Sequence, residues 1–168
     1  PRPALLGAVA AHLCGDRGSL DAALIRGSED AAKEWILAGR HAFDFSRRIG
    51  SALATGPEGL LLIAKGAPEA IIARCTAQRV NGALAPLGES DKAAAIERVH
   101  ALATEGLRTI AVASRPWPEP AREIEATDEA NLVFEGLCAF ADPPKPTARA
   151  AIARLADAGV QLKILSGD

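Results

Sequence analysis

The 168-residue sequence lacks the features that mark several large classes of protein. No apolar run reaches the roughly 18 residues that a membrane-spanning helix needs, and the densest run, residues 60–64, is only as long as a strand. An excess of one charge sign is also missing, because 19 Lys and Arg stand against 21 Asp and Glu. Nucleic acid and anionic membranes are held by a basic field. The near-balanced charge therefore argues against both as partners, and any anion site must be local.

Cysteine is scarce, and its spacing is informative. Cys14, Cys75 and Cys138 are odd in number and far apart, which fits neither a disulfide framework nor a zinc site. The pattern predicts buried thiols in a reducing compartment. His41 and His100 have no Cys or His at metal-ligand spacing, so we expect no metal site within the chain.

Glycine-rich phosphate loops are absent as well. Neither Gly-x-Gly-x-x-Gly nor Gly-x-x-x-x-Gly-Lys-Ser/Thr occurs, and no spacing supports a Ser–His–Asp or Cys–His arrangement. The sequence begins at Pro1 without an initiator Met or a signal-peptide pattern, and its last residue, Asp168, comes shortly after an apolar, strand-like run. We therefore expect a piece of a longer protein.

Helical spacing of apolar residues dominates the first forty residues. It predicts helices over residues 4–14 and 19–26, the second with Ser19 as its N-cap. Ser28 is expected to cap a third helix whose apolar surface includes Trp35, Ile36 and Leu37.

Strand and turn patterns follow from residue 41 onward. Dense turn chemistry at residues 55–59 predicts a hairpin, and Asn81-Gly82 predicts a second one. Helices are expected after Pro68 and over residues 89–105, the latter ending at Gly106. The patterns further predict strands over residues 107–114 and 132–141.

The last thirty residues have a different organisation. Asp-Pro-Pro-Lys-Pro at residues 142–146 is a stiff break, followed by a predicted helix over residues 147–158 and a strand over residues 160–165. Strand, helix and strand form half of an α/β unit. The sequence therefore predicts an α+β domain over residues 1–138, an antiparallel sheet flanked by helices, and a truncated α/β unit over residues 139–168.

Three short segments suggest chemistry, although each also has an ordinary explanation. Phe-Asp-Phe-Ser-Arg-Arg at residues 43–48 suits stacking on a purine while holding its phosphates, but it also describes a common strand edge. Lys65 and Gly66 follow a buried strand and precede a helix, where the glycine would let a ligand approach the backbone. Arg108 places a cation at the start of a strand, a position that is ordinarily solvated.

Taken together, these segments resemble P-type cation-transporting ATPases. The resemblance rests on Lys-Gly-Ala-Pro-Glu at residues 65–69, Gly-Leu-Arg-Thr-Ile-Ala-Val-Ala at residues 106–113, and the run from residue 142 to residue 168, in the order and spacing of the nucleotide-binding domain. The short Phe-Asp-Phe-x-Arg-Arg segment and residues 128–145 are most similar to the magnesium-translocating subgroup. The expected fold is thus that of the nucleotide-binding domain, followed by the start of a phosphorylation domain of the haloacid-dehalogenase type.

The resemblance implies ATP as the ligand, with Mg²⁺ carried on the nucleotide. The residues it implies for ATP binding are Phe45 (stacking on adenine), Asp21 (facing the adenine amino group), Lys65 and Gly66 (lining the adenine pocket), and Arg47 and Arg108 (reaching the phosphates).

The resemblance also assigns two groups near the C-terminus. Asp142, Pro143 and Pro144 would form one strand of the hinge to the phosphorylation domain. Ser166, Gly167 and Asp168 resemble that domain's Thr-Gly-Asp motif.

The implied function is delivery of MgATP to drive cation transport, with Mg²⁺ as the expected cargo. The family's phosphorylated Asp motif does not occur in the sequence, so the chain is expected to hold no catalytic residue and to be inactive alone. Its partners would be the remaining phosphorylation, actuator and transmembrane domains of a pump. The expected location is the cytoplasmic face of the inner membrane, and the chain itself is expected to be soluble and monomeric.

Two departures from the family leave alternatives open. Ile49 and Gly50 stand where the family usually has a basic residue and a bulky apolar one, so the domain could bind nucleotide weakly and serve as a docking module. A calcium or proton pump is also compatible, because the membrane helices choose the ion. A soluble phosphatase of the haloacid-dehalogenase class is disfavoured by residues 1–135.

Overall fold

The computed structural model describes residues 2–16, 18–26, 28–118, 120–141 and 147–163. Within these ranges the chain forms one seven-stranded sheet with helices packed against it, which confirms the α+β prediction. In chain order the elements are α1 (Arg2–Cys14), α2 (Ser19–Ile25), α3 (Glu29–Ala32), β1 (Ile36–Asp44), β2 (Ile49–Gly56), β3 (Gly59–Gly66), α4 (Pro68–Ile72), β4 (Cys75–Val80), β5 (Ala83–Pro86), α5 (Glu89–Thr104), β6 (Leu107–Pro116), a 3₁₀ helix (Ala126–Asp128), β7 (Leu132–Ala141) and α6 (Ala148–Asp157).

The strand order of the sheet is β1-β2-β3-β6-β7-β4-β5. All neighbours are antiparallel except β4 and β7, which run parallel. The predicted antiparallel sheet is confirmed for the other pairs and corrected at this one. β4 reaches the sheet through α4 and β7 through the long segment after β6, so no tight turn sets their relative direction.

Two apolar clusters lie on opposite faces of the sheet. The face covered by α1, α2 and α3, here called the α1 face, is built from residues such as Val9, Ile63 and Val112. The other face, here called the α4 face, packs residues such as Leu62 and Ile71 under α4 and the segment after β6. Burying side chains of this size stabilises the fold by about 1.5–3 kcal/mol each, and it fixes which strand residues point to which face.

Local turn and cap signals are confirmed. Asn81 and Gly82 have φ angles of 50° and 86°, the left-handed pair that a two-residue hairpin turn requires. Pro68 begins α4 at a position where a missing N–H costs nothing. Gly106, with φ of 78°, follows α5 as expected.

Two N-terminal predictions are wrong in detail. α3 ends at Ala32, and Ile36 already begins β1, so Trp35 to Leu37 do not lie on a helix. Trp35 is buried against Gly56, where any Cβ would overlap its ring, and this tertiary contact outweighs a short helical pattern. The N-cap of α2 is Gly18, whereas Ser19 is its first helical residue.

The C-terminal helix is confirmed, but the strand after it is not. α6 is followed by residues 160–163, which have no regular secondary structure. A strand needs a neighbour to pair with, and the described part of the chain offers none there. The helix itself leaves Ile152 49% exposed.

Several predictions fall on residues outside those described. These are the end of the proposed strand at residues 164–165, the hinge residues Asp142, Pro143 and Pro144, and the motif Ser166, Gly167 and Asp168. The division into residues 1–138 and 139–168 stays a prediction. β7 continues to Ala141, which pairs with Leu107 at the start of β6.

Candidate functional site

Lys65 is the buried centre of the candidate site. It lies on β3, on the α1 face, and is only 4% exposed. Its Nζ is 2.6 Å from Oδ1 of Asp21, in the first turn of α2, and 2.7 Å from Oδ2 of Asp16, just beyond α1. The structure therefore places two of the predicted ATP-binding residues, Lys65 and Asp21, in direct contact.

The electrostatics of this cluster keep Lys65 charged. Burial alone lowers the pKa of Lys65, but the hydrogen bonds and charges of Asp16 and Asp21 outweigh it and raise the pKa above its ordinary value. Asp16 Oδ2 is buried, and it is ion-paired with Lys65 Nζ at 2.7 Å. With one cation and two carboxylates, the cluster has unused hydrogen-bonding capacity.

Phe45 lies at the tip of the turn between β1 and β2 and is 89% exposed. Its ring meets that of Phe43 edge to face, with centroids 5.4 Å apart. The turn is ordered by Asp44, whose Oδ1 accepts hydrogen bonds from the backbone N–H groups of Ser46 at 2.7 Å and Arg47 at 3.0 Å. The Ser46 hydroxyl donates to the same oxygen. This bond contributes most to lowering the pKa of Asp44, and the two backbone bonds add to it. An aromatic face is thus held in solvent by an ordered turn.

A cross-strand row connects the aromatic pair to Lys65. Gly50 on β2 is in register with Lys65 on β3. A Cβ at Gly50 would lie 3.3 Å from the backbone nitrogen of Phe43, so Phe43 lies directly beside this glycine. Phe43, Gly50 and Lys65 therefore form a row across β1, β2 and β3.

Gly66 is required by a close backbone approach. A Cβ there would lie 2.1 Å from the carbonyl oxygen of Arg48, and the same oxygen accepts a hydrogen bond from the backbone N–H of Ala67 at 3.0 Å. The sequence suggested that Gly66 admits a ligand. In the structure, the backbone that approaches Gly66 closely belongs to Arg48, in the turn that carries Phe45.

Arg47 points back into the fold. Its Nη1 donates to both carboxylate oxygens of Glu129, at 2.6 and 2.5 Å, and its Nη2 donates to the carbonyl of Ala42 at 2.8 Å. Glu129 is fully buried and also accepts a hydrogen bond from Ser51 Oγ at 2.6 Å. His41 Nδ1 lies 3.4 Å from the same carboxylate.

Arg108 lies on the α1 face, as Lys65 does, but farther along the sheet. It is four residues before Val112, which is directly opposite Lys65. Side chains four residues apart on a strand share a face and are separated by about 13 Å. Arg108 is exposed near the start of β6, opposite Phe140.

A second buried ion cluster lies on the α1 face around Glu135 of β7. This carboxylate accepts hydrogen bonds from Arg2 at 2.9 Å, from Arg79 at 2.9 and 3.3 Å and from Ser114 at 2.6 Å. Burial alone raises the pKa of Glu135, but the bonds from Arg79, Ser114 and Arg2 outweigh it and lower the pKa. Both carboxylate oxygens of Glu135 therefore accept hydrogen bonds from side chains of the protein.

Sequence reasoning missed Asp16 and Glu129 as parts of the site. Gly15 marks the end of α1, with φ of 71°, but nothing local shows that Asp16 faces Lys65. Glu129 is 82 residues from Arg47 along the chain, so no spacing rule finds the pair. Ile49 is fully buried on the α4 face. A side chain at this position therefore packs in the core and does not face a solvent-exposed phosphate.

Residues 17–147 match the family model described as "P-type ATPase, cytoplasmic domain N". The chain belongs to this family. The match includes Asp21, Phe45, Lys65 and Arg108, and it confirms the resemblance drawn from the motifs. The N domain is therefore the frame in which the cluster around Lys65 is interpreted.

Named relatives of this N domain are cation pumps. The chain is 35% identical over 161 residues to "Magnesium-transporting ATPase, P-type 1" of Escherichia coli K12 and 34% identical over 160 residues to the protein of the same name from Salmonella typhimurium 14028s, covering 92% of this chain in both cases. It is 29% identical over 136 residues, 81% of the chain, to "Calcium-transporting ATPase lmo0841" of Listeria monocytogenes. The aligned parts are 18%, 18% and 16% of those relatives.

Other features of the N domain lie away from the Lys65 cluster. A cavity of about 250 Å³ opens between α1, α2 and β7, and neither Phe45 nor Lys65 lines it. Across the described ranges, no three His, Cys, Asp or Glu side chains are grouped to hold a metal ion, and no helix there is long and apolar enough to cross a membrane.

The three cysteines are free thiols. Cys75 and Cys138 are buried as predicted, whereas Cys14 is partly exposed. Burial raises the pKa of Cys14 to about 11 and that of Cys75 to about 12. Both are protonated thiols at neutral pH and are therefore poor nucleophiles.

Proposed function

We propose that this N domain binds ATP at the cluster of Asp21, Phe45 and Lys65 and presents it to the phosphorylation domain of a cation-transporting P-type ATPase. One observation carries the proposal: Lys65 Nζ lies 2.6 Å from Asp21 Oδ1, in the cross-strand row that leads through Gly50 to Phe43 and its partner Phe45. Residues 21, 45 and 65 are well separated along the chain. Their arrangement supports a shared ligand.

The chemistry of the cluster suits adenine. An exposed aromatic ring provides a stacking platform for a base. Adenine presents an amino donor where guanine presents a carbonyl acceptor. A carboxylate of Asp21 or Asp16 accepts a hydrogen bond from that amino group and repels the guanine carbonyl, while Lys65 donates to a ring nitrogen. The carboxylates of Asp16 and Asp21 both pair with the single ammonium of Lys65, so acceptor positions remain for a ligand donor.

The phosphates would extend past the end of β3 toward Arg108, around the α1-face core, because Val112 and Ile110 are buried between Lys65 and Arg108. This residue is on the same face as Lys65, about 13 Å along the sheet, so an extended nucleotide would bring its charged end toward a guanidinium. Mg²⁺ is expected to arrive on the phosphates.

The domain would contribute positioning, which phosphoryl transfer chiefly demands. A hinge at Asp142, Pro143 and Pro144 would let it swing toward a phosphorylation domain of the haloacid-dehalogenase type, with residues 139–168 as the start of that domain. The pump would lie in the inner membrane, with this domain on the cytoplasmic side. Mg²⁺ is the proposed cargo because the relatives that cover 92% of the chain are magnesium-transporting ATPases.

The test is a titration of the purified chain with ATP, AMP and GTP, followed by amide chemical shifts in NMR spectra. Trp35 and Trp117 are both buried, so tryptophan fluorescence is a poor reporter. We expect adenine-selective shifts around residues 43–50 and 65–67. Base stacking is worth about 1–3 kcal/mol, so Phe45→Ala should weaken ATP binding by about 10-fold or more.

Matched controls separate binding from general damage. Leu84→Ala removes another exposed apolar side chain, at the far edge strand β5, and should leave ATP affinity unchanged. Lys65→Ala should abolish the preference for ATP over GTP. If the folded wild-type chain shows no shifts at millimolar ATP, the proposal is wrong and the docking-module alternative is favoured.

A further inference from the structure

Glu129 is a buried carboxylate that holds the aromatic turn from beneath. It follows the 3₁₀ helix, its side chain is fully buried, and it lies on the α4 face beside Ser51. Its two oxygens accept hydrogen bonds from Arg47 Nη1 at 2.6 and 2.5 Å. The Ser51 hydroxyl donates to it at 2.6 Å.

The turn over residues 44–48 has two further attachments. Arg47 Nη2 donates to the carbonyl of Ala42 at 2.8 Å, so the guanidinium also bridges the turn to β1. Arg48 has φ of 57°, and its carbonyl accepts the Ala67 N–H bond at the end of β3. Phe45 therefore projects from a turn fixed on one side to a buried charge and on the other to the strand end that carries Lys65.

Arg47 cannot reach solvent phosphates without breaking this arrangement. Its side chain is only 14% exposed, and its withdrawal would leave the Glu129 carboxylate buried without its cation. An unpaired buried charge is strongly disfavoured. Arg48, on the same turn, is 57% exposed, and Glu69 lies 4.0 Å away from it. Arg48 is thus the cation of this turn that faces solvent.

We infer that Glu129 and Arg47 are positioning residues that hold Phe45 where it stacks on the base, and that Arg48 supplies the turn's charge toward the phosphates. The inference rests on the proposed ATP site, and it reassigns Arg47 from phosphate contact to support of the turn. It follows from the contacts of Arg47, since every described side-chain bond of this residue goes to Glu129 or Ala42.

The test compares two nucleotides that share the base and differ in charge. ATP and AMP are titrated against the wild-type chain, Glu129→Gln, Arg47→Met and Arg48→Met, with amide shifts as the readout. Glu129→Gln and Arg47→Met should weaken ATP and AMP by the same factor, about fivefold or more, so the ratio of the two affinities stays within about twofold of wild type. Arg48→Met should lower the affinity for ATP by a larger factor than the affinity for AMP, because ATP carries more phosphate charge.

The dependence on salt gives an independent readout. Each phosphate contact that is lost makes the fall of log affinity with log salt shallower. Arg48→Met should flatten this slope for ATP, whereas Arg47→Met should leave it unchanged. A purely structural contribution of Arg47 to folding would leave the affinities for both ATP and AMP at wild-type values in the folded protein, whereas a loss of positioning lowers both.

Specific results would overturn the inference. Arg47→Met that weakens ATP and spares AMP would restore Arg47 as a phosphate contact. Glu129→Gln that unfolds more readily, yet binds both nucleotides with wild-type affinity when folded, would reduce Glu129 to a structural role. A wild-type chain that binds neither nucleotide would contradict the proposed function itself, and the inference with it.

A milder variant covers the case in which Glu129→Gln does not fold. Ser51→Ala removes one hydrogen bond to Glu129 and leaves the pair with Arg47 in place. It should weaken ATP and AMP equally, by about twofold, with intact amide shifts in the distant β4–β5 hairpin. Unchanged affinities in folded Ser51→Ala would count against positioning through Glu129.

Discussion

Two buried ion clusters on the α1 face have opposite composition. Lys65 is one cation between two carboxylates, Asp16 and Asp21, whereas Glu135 is one carboxylate between two guanidiniums, Arg2 and Arg79. The two lie in neighbouring parts of the sheet, since Lys65 is opposite Val112 and Val112 is opposite Gly136.

The difference lies in how completely each buried group is satisfied. Glu135 accepts from Arg2, Arg79 and Ser114, which uses its lone pairs well. At the Lys65 cluster, two carboxylates share the three donors of one ammonium, so acceptor positions on both carboxylates remain unfilled. A saturated cluster stabilises a fold, and an unsaturated one beside an exposed aromatic ring is suited to a ligand. The following variants test this contrast.

Glu135→Gln should have the largest effect on stability. It leaves Arg2 and Arg79 without their carboxylate, and removing one partner of a buried pair is strongly destabilising. Both arginines are partly exposed and can recover some hydration, so we expect a loss of about 2–3 kcal/mol, measured by urea unfolding. The affinity for ATP should not change.

The control for this variant is Glu58→Gln. Glu58 also pairs with Arg2, but its side chain is 47% exposed, whereas that of Glu135 is fully buried. Exposed pairs contribute about 0–1 kcal/mol, so this variant should unfold close to wild type. An equal loss in both variants would mean that Arg2 matters through Glu58 and not through the buried cluster.

Lys65→Met should cost less stability but remove selective adenine binding. It leaves Asp16 and Asp21 close together without the cation that they share, so the two carboxylates repel each other. We expect a loss of about 1–2 kcal/mol, measured by urea unfolding at pH 7. A variant as stable as wild type would contradict the proposed repulsion.

The acid limb of stability should report Glu135. Its pKa is lowered on folding from an ordinary value of 4.5, so the unfolded chain binds the proton more readily. The contribution is complete above about pH 4.5 and is lost as the pH falls through the lower folded-state pKa. Glu135→Gln should therefore lose stability less steeply below pH 4.5 than wild type. Identical slopes would assign the acid limb to other carboxylates.

The parts of the fold that sequence predicted are those fixed by local chemistry. Asn81-Gly82 specifies its own turn, and Gly106 ends a helix through its positive φ. The predicted helical position of Trp35 was wrong because packing against Gly56, on the neighbouring strand β2, sets where this side chain lies. The parallel pair of β4 and β7 joins strands with no turn between them, so no local signal indicates it.

The candidate site divides in the same way. Phe45, Lys65 and Asp21 are predicted from motifs that carry a family resemblance, and the structure brings Lys65 and Asp21 together. Glu129 was missed as the partner of Arg47 because the pair spans 82 residues. A buried carboxylate is visible only once the fold shows that it is buried. Supporting residues are therefore harder to predict than those that face a ligand.

The smallest predicted effects come from two glycines in one cross-strand row, which runs Gly50, Lys65, Val112, Gly136. Gly136 has φ of 142°, and a Cβ there would lie 2.9 Å from Cγ of Pro3. Gly136→Ala should therefore cost about 1 kcal/mol of stability, measured by urea unfolding, and leave ATP affinity unchanged.

Gly50→Ala should show the reverse. The new Cβ would lie 3.3 Å from the Phe43 backbone nitrogen, so Phe43 must move by a few tenths of an ångström, and Phe45 with it through their edge-to-face contact. The better strand propensity of alanine offsets this strain, so stability should change by less than about 0.5 kcal/mol. ATP and AMP should both bind about two- to threefold more weakly in the NMR titration. If Gly50→Ala spares binding while Gly136→Ala weakens it, the ligand lies on the Glu135 side of the row. The Glu135 cluster would then bind the ligand, and the Lys65 cluster would stabilise the fold.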